Sequence, residues 1–193
     1  MGTHPILFSR RWSLSPFLAI FIASALYAQT DETRTLESEG GALVTYTLRK
    51  HPADAHVLMP AAELAPTSAL DAAKLLNLHL STGDIEEAAL LSNSPRRRFE
   101  VLQDYRQSVG EEEFKRVFAQ YFDPENRLLA EIGIGSHRLL IWLLKDGTLQ
   151  SSRVAGQYFV EVEGRYLMDD VPNETRASLR RVLEAYRAGK IPR

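Results

Sequence analysis

The 193-residue chain contains no cysteine, so disulfides, a thiol nucleophile and a lipid-modified cysteine anchor are all excluded. Excess charge of one sign is missing too. Lys+Arg number 23 and Asp+Glu 25, a formal charge of −2 with an ordinary 45% hydrophobic content, whereas a dedicated nucleic-acid binder is usually basic. There is no Gly-rich phosphate loop, no Gly-x-Ser-x-Gly and no His-Glu-x-x-His. Internal repeats and low-complexity tracts are also absent. The strongest apolar run, Phe17 to Ala28, is 12 residues long, well short of the roughly 20 that a membrane-spanning helix requires.

What is present begins with that run. Arg10 and Arg11 precede an uncharged segment, Pro16-Phe-Leu-Ala-Ile-Phe-Ile-Ala-Ser-Ala-Leu-Tyr-Ala28, and polar sequence starts at Gln29. A positive n-region, an apolar h-region and a small-residue exit make a secretory signal peptide over residues 1–28, with cleavage after Ala25 or Ala28. Ser9-Arg-Arg11 resembles the start of a twin-arginine signal, but Ser13 stands where that signal is usually apolar, which favours the general secretory route. The expected location is periplasmic or secreted. The alternative is an uncleaved leader anchored in the inner membrane. Residues 29–193 carry 21 basic and 25 acidic side chains, a net −4, over a length suited to one domain.

Residues 29–66 read as a lead-in with one strand and a Pro-rich loop. Residues 29–40 are polar and expected to be mobile, and Ala42–Leu48 is β-rich. Pro52, Pro60 and Pro66 punctuate the loop around a short apolar piece, Val57-Leu-Met59. The α+β domain is expected over 67–193. Ser68 caps a helix ending at Gly83, and Asp84 caps a second, reaching about Asn93. Ser94-Pro95 opens a third, ending at Gly110, and the fourth covers Glu111 to Phe122 with Phe114, Val117, Phe118 and Tyr121 on one face. The period then changes. Leu128–Ile134, Arg138–Leu144, Gln150–Glu163 and Arg165–Met168 read as a curved four-stranded antiparallel meander, with turns at Asp146-Gly147 and Gly164. A last helix follows Pro172, capped by Asn173, with Leu179, Val182, Leu183 and Tyr186 inward. Arg176, Arg180, Arg181, Arg187 and Lys190 face outward. Helices segregated from a consecutive antiparallel sheet define the α+β class.

Leu75-Leu-Asn-Leu-His-Leu-Ser-Thr-Gly-Asp84 followed by Ile85-Glu-Glu-Ala-Ala-Leu-Leu91 resembles the opening of the nuclear transport factor 2-like (SnoaL-like, cystatin-like) superfamily. Val160-Glu-Val-Glu-Gly-Arg-Tyr-Leu-Met-Asp-Asp170 resembles its closing hairpin. The resemblance covers roughly residues 67–170 and implies a curved sheet wrapped around helices to form a cone with a pocket. It departs from the family where a helix follows the last strand and a strand precedes the helices. It implies no catalytic residue, because no subfamily motif is present, and the fold hosts enzymes, carriers and interaction modules alike.

Several constellations could carry chemistry. His51-Pro-Ala-Asp-Ala-His56 has metal-ligand residue types, but a Pro-containing loop without a third histidine reads as solvated, and no metal is expected. His79, on the apolar side of the first helix, is the candidate base of a pocket enzyme. His137 sits at a strand junction and is expected to be exposed. Arg96-Arg97-Arg98 at a helix start reads either as a solvated face paired with nearby carboxylates or as a site for an anion or acidic partner. Glu161, Glu163, Asp169 and Asp170 gather carboxylates at the end of the sheet. Tyr158, Phe159, Tyr166 and Trp142 are core aromatics, some of which could line a ligand cavity.

These observations favour an exported, non-enzymatic module binding a small apolar ligand or a protein through Arg96, Arg97, Arg98, Tyr158 and Tyr166. No cofactor and no nucleic acid are expected, membrane contact is expected only through a retained leader, and a dimer is open. The alternatives are a pocket enzyme of isomerase or hydrolase type, and a membrane-tethered accessory protein docking through its basic final helix.

Overall fold

Residues 32–37, Glu-Thr-Arg-Thr-Leu-Glu, form a β-strand although only one of them is apolar. The computed structural model describes residues 31–37, 41, 43–57, 65–146 and 151–191. The leader, Leu58 and Met59 of the Pro-rich loop, and turn residues 147–150 lie outside the described residues. The strand β1 (Glu32–Glu37) pairs antiparallel with β2 (Leu43–Arg49), placing Leu36 opposite Val44 and Glu32 opposite Leu48. Two exposed ion pairs support it: Arg34 Nη2 lies 2.6 Å from Glu32, and Arg49 Nε lies 2.7 Å from Asp31.

The β2 strand then pairs with β3 (Arg127–Ile134), Thr47 opposite Gly133. The sheet continues through β4 (His137–Asp146), β5 (Ser151–Val162) and β6 (Arg165–Met168). The result is one six-stranded antiparallel sheet in the order β1-β2-β3-β4-β5-β6. The expected four-stranded meander is therefore corrected to six strands, and the α+β class stands. The segment expected to be a mobile lead-in supplies an edge strand. Its order comes from main-chain pairing and ion pairs, which a search for apolar alternation does not register.

Among the described residues, five α-helices flank the sheet. Four lie between β2 and β3: α1 (Ala69–Thr82), α2 (Ile85–Leu90), α3 (Pro95–Val109) and α4 (Glu111–Ala119), the last followed by a 3₁₀ turn at Gln120–Phe122. The Ser68 hydroxyl accepts from Asp71 N to start α1, and Gly83, with φ of 87°, stops it in the left-handed conformation. The Asp84 carboxylate accepts from Glu87 N to start α2. The fifth helix, α5 (Glu174–Arg187), is capped by Asn173, whose Oδ1 accepts from Arg176 N at 2.8 Å.

Alternation along the strands makes two cores. Leu140, Trp142, Leu144 and Phe159 face α1–α4, packing with Leu76, Leu80 and Phe114. The opposite parity, including Leu48, Ile132, Leu139 and Ile141, packs against Leu179, Val182 and Tyr186 of α5. The sheet is thus a middle layer between helices, each face burying its own apolar set. Among the described residues no helix is long and apolar enough to cross a membrane.

Candidate functional site

The chain between β6 and α5 is a joint built from short polar side chains. Residues 91–93 run beside β6: Met168 N donates to Leu91 O and Asn93 N to Met168 O. Asp169 is buried at 1% exposure, and its carboxylate accepts from Asn93 Nδ2 at 2.9 Å and from His137 Nδ1 at 3.0 Å. Asp170 accepts from the Ser92 hydroxyl at 2.7 Å and from Arg98 Nη1 at 3.4 Å. His137 is therefore half-buried and paired, which corrects the expectation of an exposed residue. The network ties the first turn of α3 to the segment that leads into α5.

That docking brings arginines from two distant segments together. One cavity, about 210 Å³, is lined by Arg97, Arg98, Val101, Asp170, Pro172 and Arg176. A second, about 530 Å³, shares Pro172 and Arg176 with it and runs along α5 over Gly156 and Tyr158 to Arg180, Glu184 and Arg187. Five arginines and two carboxylates line the combined groove, an excess of three positive charges in a chain of net charge −2. Both carboxylates are engaged, Asp170 as above and Glu184 with Arg187 Nη1 at 3.0 Å.

Two members show how the groove treats charge. Burial pushes the Arg98 guanidinium below its usual range. Asp170 opposes that shift, and the neighbouring cation Arg176 adds to it. Arg98 remains cationic because an arginine starts so far above neutral pH. Its Nε is buried and without a partner among the described residues. Arg176 lies over the Tyr158 ring, 5.3 Å from guanidinium to centroid, a cation–π contact. Burial raises the Tyr158 phenol above its usual range, and Arg176, Arg187 and Arg180 pull it back. A semi-enclosed field with more cations than anions is what an anionic group would neutralise.

The residues singled out from the sequence divide between places. Arg97, Arg98 and Tyr158 meet at this groove through Arg176. Arg96 points into solvent, 94% exposed, and pairs with Glu100 one turn on. Tyr166 lies on the other face of the sheet, with Arg138 5.9 Å from its ring centroid and its hydroxyl donating to Glu161 at 3.4 Å. Glu161 and Glu163 are exposed. The His79 ring nitrogen Nδ1 is 3.4 Å from Asp84 Oδ2, beside the α1–α2 break.

The pair in the Pro-rich loop separates as well. His56 is buried at 1% exposure, with Nε2 3.1 Å from Asp123 O and its ring edge-on to Trp142, which corrects the solvated-loop expectation. His51 Nε2 approaches Glu131 Oε2 at 2.8 Å instead. Among the described residues no group of three His, Asp or Glu side chains is placed to hold a metal ion.

Glu131 belongs to a second charge cluster, not foreseen from the sequence. Its side chain is 7% exposed, with Arg138 Nε at 3.5 Å and Arg49 Nη1 at 3.8 Å in addition to His51. In β3 it occupies a helix-facing position between apolar neighbours, and its basic partners come from β2, β4 and the loop after β2. Only the pairing of β2 with β3 brings Arg49 and His51 to it. No family model matches the chain, and no curated protein or solved structure matches it either.

Proposed function

We propose that this protein is an exported binding module whose α3–β5–α5 groove takes an anionic group of a small ligand. The observation that carries the reading is the meeting of Arg98 and Arg176 with Asp170 in one cavity, Arg176 also lining the second. Binding is favoured over acid–base chemistry because Asp170 and Glu184 are each already held by a hydroxyl or a guanidinium. A carboxylate so engaged is a poor proton acceptor, while arginines and a tyrosine are recognition groups for phosphate or carboxylate. Export rests on the charge and length pattern of residues 1–28.

Pyrophosphate titrated calorimetrically into the protein tests the binding. Its affinity is expected to fall about ten-fold in the Arg176→Gln variant, the loss of roughly one charge-assisted contact. Raising salt from 50 to 300 mM should weaken it further, since the groove is partly open to solvent. No heat of binding, or equal affinities for wild type and Arg176→Gln, would remove the proposal. Amino-terminal sequencing of the protein recovered from the cell envelope tests export independently, with a start after Ala25 or Ala28 expected.

A further inference from the structure

The other flank of α5 carries a second cleft, of about 520 Å³, between that helix and β1. Its character differs from that of the arginine groove. Leu36 of β1 and the methyls of Ala177, Ala185 and Ala188 give it apolar walls, and its charged rim sets Arg180, Arg181 and Lys190 against the carboxylates of Glu37 and Glu184. The two sites are neighbours. Ala177, Arg180 and Glu184 line both, so they are separated only by the outward ridge of one helix. On that ridge Ala177 is the low point, and Arg180 is a cation common to both sides.

We propose that the two clefts together bind one free single-chain amphiphile, its hydrocarbon chain against Leu36 and the alanines and its anionic head on the arginines. This rests on the anion-binding reading of the groove and adds the chemical class of the ligand. Complementarity argues for it on both counts. An alkyl chain matches a cleft walled by methyls and a leucine, and a phosphate or carboxylate head matches arginines that outnumber their carboxylates. A cleft of this volume is of the size that ligand sites commonly have. A membrane surface is the competing source of the same chemistry. It would meet a flat basic face, whereas these cations border recesses on either side of a helix.

Calorimetry with three probes below any micelle concentration tests the proposal: dodecyl phosphate, methyl phosphate and dodecanol. Each buried methylene tightens binding roughly four-fold, so four or five of them should make dodecyl phosphate at least 100-fold tighter than methyl phosphate. Dodecanol should bind at least ten-fold more weakly than dodecyl phosphate. Ala188→Trp, at an exposed position, should fill the cleft and cancel the advantage of the chain while leaving methyl phosphate unaffected. Circular dichroism should confirm that this variant is folded. Dodecyl phosphate binding no tighter than methyl phosphate would overturn the amphiphile and leave the anion groove standing. Failure of both phosphates would overturn both readings. Association with phosphatidylglycerol vesicles without binding of monomeric dodecyl phosphate would overturn the free-ligand proposal in favour of membrane docking.

Discussion

Charges in this protein differ in consequence according to their surroundings, and Glu131 and Arg96 mark the extremes. Glu131 is 7% exposed beside His51, Arg138 and Arg49. Removing the carboxylate in Glu131→Leu leaves those side chains facing an apolar replacement, although Arg49 retains Asp31. Breaking one partner out of a buried ionic cluster is strongly destabilising, so a loss of about 3 kcal/mol is expected in urea denaturation. Arg96→Ala removes an i,i+4 pair in open water and should change stability by less than about 0.5 kcal/mol. Equal midpoints for the two variants would contradict this ranking. The same contrast explains why one arginine triplet is not one site. Arg96, Arg97 and Arg98 are consecutive on a helix, so they point in different directions. Only Arg98 is largely buried, against Asp170.

Packing of α5 on the sheet depends on the absence of one side chain. A Cβ placed on Gly156 of β5 would lie 2.7 Å from Leu183 Cδ2 and 2.9 Å from Leu139 Cδ1, closer than any real contact. The helix therefore sits down onto bare backbone there, which also sets the depth of the groove that Gly156 and Leu183 both line. Gly156→Ala should cost about 1–3 kcal/mol through overpacking. Leu183→Ala alone should cost about 2–5 kcal/mol through the cavity it leaves. In the double variant the new methyl enters space that Leu183 vacates, so the combined loss should fall short of additivity by at least about 0.5 kcal/mol. A double-mutant cycle in urea measures the coupling, and strictly additive losses would show that the helix had shifted away. The first turn of α3 shows the opposite economy at an element end. Three arginines there oppose the helix dipole, and the N-cap residue Ser94 makes no side-chain capping hydrogen bond. A small stability deficit is tolerated where it places cations beside α5.

At the scale of the whole molecule, what could be read from the sequence depended on the distance between partners. The helices and the hairpins from β3 to β6 carry their signals locally, in caps such as Ser68 and Asn173 and in apolar periodicity. The join between β2 and β3 does not, because Thr47 and Gly133 are 86 residues apart and no local pattern links them. The same blindness hid both charge clusters, since Glu131 meets Arg49 only across that join and Arg98 meets Arg176 only across the β6–α5 joint. The edge strand β1 is the extreme case, polar in sequence and ordered by its neighbour. Its contribution can nevertheless be measured. It covers β2, whose Val44 and Tyr46 are 7% and 4% exposed, and Leu36 packs on their core. Six cross-strand pairs at a few tenths of a kcal/mol each imply that deleting Asp31–Glu37 costs about 2 kcal/mol, or roughly 6 °C in Tm. Deletion would also turn β2 into an open edge, with Leu43 already 69% exposed at its start. An uncovered apolar edge invites pairing between chains, so light scattering should show concentration-dependent association of the deleted form but not of the intact chain. An unchanged Tm in a monodisperse protein would mean that β1 is an appendage and that the second core closes without it.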